Sequence, residues 1–195
     1  MTSQTESVSR LPGVTYAVSN TGPLISTFQS DSFSLLANLF AEIYIPAACL
    51  AELKRHGYDV DVQAASPQLV VVDLTVREES RALTIAEQIA QHSDANDPVA
   101  VNHLGEAQAI VLALRSEYRR DLLLLDELAA RAVAKQFGLK ISGFPGALLL
   151  AVRGNLISPE DLQARLLACR AQGTHYGLTF IRQVYNMAKQ GRREK

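Results

Sequence analysis

The chain has 195 residues, which is enough for one well-buried domain with a smaller appendage. Its hydrophobic content of 48% and charged content of 20% are typical of a soluble globular protein, and its net charge of −1 excludes a general attraction to polyanions. A nucleic-acid partner would therefore need a local basic patch or metal ions. No apolar run reaches the roughly 20 residues of a membrane-spanning helix, and the first ten residues lack the apolar core of a secretory signal. These observations predict a cytoplasmic protein that does not enter a membrane.

Short strands alternate with helices in the predicted element order. Residues 1–13 are rich in Ser, Thr and Gln and predict a disordered leader. Strands are predicted at Tyr16–Asn20, Ile43–Ile45, Leu69–Leu74, Leu122–Leu125 and Lys140–Gly143. A broken helical stretch is predicted after Thr21-Gly22-Pro23, and further helices at Ala47–His56, Arg77–Gln91, Glu106–Tyr118, Leu128–Phe137 and Gly146–Val152. The pattern between Gly57 and Pro67 is ambiguous.

This alternation predicts an α/β fold with a doubly wound parallel sheet in a domain over residues 14–158. The four leucines from Leu122 to Leu125 favour a strand that is buried on both faces. From Pro159 onward the pattern is helical and more charged, which predicts a C-terminal helical extension over residues 159–195.

Four polar residues follow strands or open helices where the elements of such a sheet converge. Asn20 ends the first strand, and Glu52 lies on the helix after the second. Glu106 opens the helix before the leucine strand, and Asp126 ends that strand. Clustered carboxylates repel one another, and a hard divalent cation such as Mg²⁺ relieves the repulsion through oxygen ligands while it bridges to phosphate. The pattern is compatible with a metal site at this edge of the sheet.

Each of these residues also has an ordinary structural interpretation. Glu52 can pair with a basic residue one turn along its helix, and Glu106 can be a first-turn acid that is stabilised by the helix dipole. Asp126 can cap the next helix, and Asn20 can be a simple turn residue. What favours the metal site is that all four positions arise in one topology.

The motifs AVSNTGPLI, IYIPAACLAEL, HLGEAQAIVLAL and LLLLDELAARAVAKQFGLKISG resemble PIN-domain proteins in order and spacing. The likeness is to the uncharacterised prokaryotic branch related to VapC-type toxins, and it covers roughly residues 16–157. The resemblance implies a three-layer α/β/α sandwich and a ribonuclease that depends on Mg²⁺ or Mn²⁺. It also implies RNA as substrate, an antitoxin protein as a partner, and a homodimer.

Carried onto this chain, the family pattern places metal ligands at Asp126, Glu106 and Glu52, and Asn20 at the position of the first acid. Thr21 follows it and would orient a water or a phosphate. Because an amide oxygen can bind a hard cation but supplies no charge, the site is one formal charge short, which predicts weaker metal binding and weaker activity.

Two rival functions remain open. A PIN-fold module that binds RNA or protein without catalysis is favoured by Asn20 and by the near-neutral net charge. An unrelated small-molecule α/β enzyme is disfavoured because the chain has no glycine-rich phosphate loop or nucleophile elbow. Four arginines could line a phosphate groove or belong to a solvated helix face: Arg115, Arg119, Arg120 and Arg131.

Overall fold

The computed structural model describes residues 15–193 of the chain, with side chains for 15–191, so the predicted leader 1–13 lies outside the described residues. Its strands are β1 Ala17–Ser19, β2 Ile43–Pro46, β3 Leu69–Val72, β4 Leu122–Leu124 and β5 Lys140–Ser142. Its first five helices are α1 Thr21–Gln29, α2 Phe33–Leu39, α3 Ala47–Arg55, α4 Asp59–Ala65 and α5 Val76–Ala90. The others are α6 Leu104–Ala113, α7 Leu128–Gln136, α8 Phe144–Arg153, α9 Pro159–Ala171 and α10 Leu178–Arg193. None of these helices is long and apolar enough to cross a bilayer.

The five strands form one parallel sheet in the order β3-β2-β1-β4-β5. From β1 the chain moves to β2 and β3 on one side and then returns to β4 on the other side of β1. The strand order therefore reverses between β1 and β4, where Ser19 is in register with Leu124. In open α/β sheets, ligands bind at the carboxyl ends of the strands that border such a reversal.

Each face of the sheet is covered by helices, so the predicted α/β/α sandwich is confirmed. Ala17 and Leu124 point to a core shared with α1 to α4 and α8 to α10. Val18 and Leu123 point to a second core shared with α5 to α7. The central strands are apolar on both faces because successive side chains alternate between the two cores.

The C-terminal helices are part of the first core. Leu162 and Leu166 of α9 and Ile181 of α10 are almost fully buried there, as the apolar spacing of both helices requires. Leu167 and Phe180 remain 41% and 40% exposed. The tail thus packs mainly on its own chain.

The structure resolves one ambiguous stretch and corrects the bounds of one helix. The ambiguous stretch after Gly57 contains α4. The helix that carries Glu106 begins earlier, at Leu104 after a 3₁₀ turn over Ala100–His103, and ends at Ala113 rather than at Tyr118.

Arg115 has a structural role rather than a free position in a groove. Its Nε and Nη2 donate to the Glu78 carboxylate at 2.7 and 2.8 Å, and Nη2 also donates to the Asp73 carbonyl at 2.8 Å. These bonds lower the pKa of Glu78 to about 2 and tie the end of α6 to the start of α5. Arg119 makes a single bond of 3.0 Å to the Phe137 carbonyl.

Replacing Arg115 by Ala should destabilise the protein by about 1–2 kcal/mol, because Glu78 loses a two-pronged, half-buried partner. Arg119→Ala is the matched control and should lose less than about 1 kcal/mol, since one exposed bond is removed. Urea unfolding of both variants measures the difference. Equal losses would contradict the structural role of Arg115.

Candidate functional site

Asn20 and Thr21 form the junction between β1 and α1, and each is only 3% exposed. The Asn20 backbone N–H donates to the Leu124 carbonyl at 3.2 Å, which holds this junction against β4. The Asn20 side chain does not cap α1. Its Nδ2 instead donates to Glu106 Oε1 at 3.2 Å, so the interpretation of Asn20 as a simple turn residue is incomplete.

Glu106 lies in the first turn of α6, as the alternative interpretation of the sequence proposed. Burial raises its pKa, and the negative charges of Glu52 and Glu127 add to that effect. Its own backbone N–H and the neighbouring His103 act in the opposite direction. Glu106 is therefore a half-buried carboxylate close to other negative charges. A bound cation would relieve the repulsion between these charges.

Glu52 approaches the same region from α3. Thr21 Oγ1 donates to Glu52 Oε2 at 2.6 Å, and the same oxygen lies against the backbone of Gly105 at the start of α6. His56, one turn along α3, is 3.9 Å from Glu52 Oε1, but its side chain is 56% exposed and the pairing contributes little. In the described structure the Thr21 hydroxyl holds Glu52 in place.

Asp126 follows β4, and its two oxygens have different partners. Oδ1 accepts from the Phe144 N–H at the start of α8 at 2.9 Å, and Oδ2 accepts from the Tyr176 hydroxyl at 3.2 Å. Asp126 does not cap α7, because Glu127 occupies that position. Burial raises the pKa of Asp126 to about 6, while these hydrogen bonds and the charge of Arg131 limit the rise.

Tyr176 is a site residue that the sequence analysis missed. It comes from the loop between α9 and α10, and its hydroxyl lies within 3.1 Å of Ser26 Oγ as well as bonding Asp126. Burial raises the pKa of the phenol, which keeps it a neutral donor to the carboxylate. No local pattern marks this contact, because the two residues are far apart in the chain and the loop carries no motif.

Open space lies on both sides of Asp126 and Tyr176. A groove of about 480 Å³ is lined by Asp126, Arg131, Tyr176 and the apolar side chains of α8 and α10. A second cavity of about 340 Å³ is lined by Gly22, Asp126, Glu127 and Tyr176. The Asp126 carboxylate therefore borders space in which a ligand could bind.

Four of the five predicted site residues meet as two pairs, and Asp126 lies apart from both. Asn20 bonds Glu106, Thr21 bonds Glu52, and Asp126 bonds neither pair. Within residues 15–191, no three His, Cys, Asp or Glu side chains converge closely enough to make a metal centre by themselves.

The donor set nevertheless fits a hard cation that keeps most of its water. Mg²⁺ is commonly held by only one or two carboxylates together with several waters. Asn20 Oδ1 is buried and accepts no hydrogen bond from the part of the chain that the structure describes. An unused hard oxygen beside Glu106 is what such an ion requires.

A family model described as a PIN domain matches residues 16–190, which includes the helical extension as well as the sheet. No protein with a curated description matches the chain.

Gly143→Ala should displace Asp126. The backbone at Gly143 is extended, so any residue fits its dihedral angles, but a Cβ there would overlap Asp126 Oδ1. Asp126 would have to swing away from Phe144, at a cost of about 1–3 kcal/mol. Gly146→Ala is the control: its Cβ would overlap the Ser142 hydroxyl, which can rotate away with the loss of one 3.3 Å hydrogen bond to the Gly143 carbonyl, so the change should cost less than about 1 kcal/mol. Thermal unfolding that ranks the two variants equally would contradict this account.

Asp126→Asn should stabilise the metal-free protein at pH 7.5. Because the folded pKa of about 6 exceeds the ordinary 3.8, the stabilisation that comes from protonating Asp126 is present below about pH 4 and is lost as the pH rises through 6. At about 1.4 kcal/mol for each pKa unit, the charged form costs up to about 3 kcal/mol, which the neutral amide avoids.

Urea unfolding in EDTA at pH 7.5 and pH 4 measures this effect, and the advantage of the variant should shrink at the lower pH. Asp161→Asn is the control, and it should destabilise the protein at pH 7.5 rather than stabilise it. Hydrogen bonds from Ser158 lower the pKa of Asp161, so its charged form is favoured in the folded state. An Asp126→Asn variant that is less stable than the wild type at pH 7.5 would overturn the assignment.

Proposed function

Because the chain belongs to the PIN-domain family, we propose that it is a metal-dependent ribonuclease that hydrolyses RNA phosphodiester bonds. The PIN domain is a nuclease-type fold, and PIN domains generally use divalent metal ions. Whether this chain cuts RNA depends on the residues at the end of its sheet.

The observation that supports the proposal is that Asn20 and Asp126 follow adjacent central strands at their carboxyl ends, with Glu106 bonded to Asn20. This is the edge of an open α/β sheet where ligands bind, at the point where the strand order reverses. The oxygen donors there are hard, half-buried and mostly anionic, which suits a cation that binds phosphate.

In the proposed reaction, Asp126, Glu106 and Asn20 hold Mg²⁺ or Mn²⁺, with Glu52 in support. The ion would lower the pKa of a water and stabilise the negative charge that develops on the phosphodiester. The protein keeps these ligands in position: Thr21 fixes Glu52 with its hydroxyl.

Asp126 is oriented by hydrogen bonds from both sides, one from Phe144 and one from Tyr176. With a pKa of about 6, it is mostly ionised at neutral pH even before a cation binds.

A second candidate function is a PIN-fold module that binds RNA or protein without cutting. The observation that favours it is Asn20, which cannot supply the charge or accept a proton as an acid at that position would. The absence of a three-acid cluster among residues 15–191 points the same way.

The biological setting that we propose is a cytoplasmic toxin that an antitoxin protein restrains, active as a homodimer. This part rests on the resemblance to VapC-type proteins. Some support for a protein partner comes from exposed apolar side chains beside the groove, since Leu128, Phe180 and Met187 are between 40% and 65% exposed.

Single-stranded RNA should be cleaved by the wild-type protein in Mn²⁺, and Asp126→Ala should lose about 10²-fold or more of that activity. Asn20→Asp should cut faster than the wild type, because it restores the missing charge. The measurement is the initial rate on a labelled RNA in a denaturing gel, with EDTA as the blank.

Equal rates for the wild type and Asp126→Ala would show that a contaminant cuts. If the wild type neither cuts nor shows a thermal shift in millimolar Mn²⁺, the binding module is the correct function. Cutting by Asn20→Asp alone would identify a latent nuclease site.

A further inference from the structure

Glu127 is a carboxylate next to Asp126 that the sequence analysis left out. It is the N-cap residue of α7, where Oε2 accepts a hydrogen bond from the Ala130 N–H. Its other oxygen, Oε1, is buried and accepts no hydrogen bond from any residue with a described side chain or backbone. The capping role therefore accounts for only one of the two oxygens.

A buried polar atom without a partner destabilises a protein by about 1–3 kcal/mol, and more when it is charged, so such an atom points to a missing ligand. Asn20 Oδ1 is in the same condition. A Cβ placed on Gly22 would lie 4.0 Å from Asn20 Oδ1 and 4.0 Å from Asp126 Cβ. Gly22, Asp126 and Glu127 also line one cavity. Asn20 Oδ1 and the Glu127 residue therefore both lie close to Gly22 and Asp126.

The charges are consistent with this arrangement. Glu127 is close enough to Glu106 for their negative charges to repel each other, and Glu106 is the residue that holds the Asn20 amide. An acid at position 20 would have placed a negative charge beside Glu106. Glu127, at the start of α7, places a negative charge near Glu106 instead.

We propose that Glu127 is a further carboxylate of the cation site and supplies the negative charge that Asn20 lacks. This inference rests on the proposed metal-dependent function. Glu127 acts on the ion directly or through one of the waters that Mg²⁺ and Mn²⁺ retain. The cap of α7 and the cation would then use opposite oxygens of one side chain.

The test is calorimetric titration of Mn²⁺ into the full chain and its variants at pH 7.5. Glu127→Gln keeps an oxygen for the Ala130 N–H and removes only the charge, so its dissociation constant should rise about tenfold or more. Asn20→Asp combined with Glu127→Gln should return to within about threefold of the wild type. Asp161→Asn is the matched control, because it removes one charge from the cap of α9 and should leave Mn²⁺ binding unchanged.

A dissociation constant for Glu127→Gln within about twofold of the wild type overturns the inference, and so does a double variant that stays as weak as Glu127→Gln. A wild type that binds no Mn²⁺ overturns both the inference and the proposed function. If Mn²⁺ binding depends on Glu127 but no RNA is cut, the inference stands and the ribonuclease proposal fails. Circular dichroism of each variant identifies any loss of binding that comes from misfolding.

Discussion

The site depends on the parallel pairing of β1 with β4 at the centre of the sheet. That pairing ends in the hydrogen bond from the Asn20 N–H to the Leu124 carbonyl. Beyond it, β1 leads into α1 and β4 leads into α7. The backbone beyond the last pair loses its ladder partners, so polar side chains and bound ligands must satisfy it. Because both strands are buried in apolar cores, the polar residues of the candidate site lie beyond the strand ends rather than along the strands.

Burial also makes ionised carboxylates unfavourable at the carboxyl ends of β1 and β4. Asp126 and Glu106 both have pKa values that are raised mainly by burial away from water. The metal-free protein is therefore less stable when these two carboxylates are ionised. Uncompensated acids of this kind are characteristic of functional sites, where stability is given up for binding or catalysis. Tyr176 and the Phe144 N–H offset part of the cost at Asp126.

The sequence could predict the sheet and most of the site because those signals are local. Strand leucines, helix periodicity and the acids that follow them lie within a few residues of one another. It could not predict Tyr176, whose contact with Asp126 depends on how α9 and α10 pack. It also favoured Asp126 as the cap of α7, because Asp is a preferred N-cap residue, whereas the path of the backbone places Glu127 at that position.

The contact between Tyr176 and Asp126 can form only late in synthesis, because Tyr176 follows Asp126 by 50 residues in the chain. A ribosome releases the sheet and its acids before the segment after residue 158. Until then the first core lacks the side chains of α9 and α10, and Asp126 lacks the donor to its Oδ2. Domains fold as units while they are made, so a chain that is still attached to its own messenger RNA has an unfinished site.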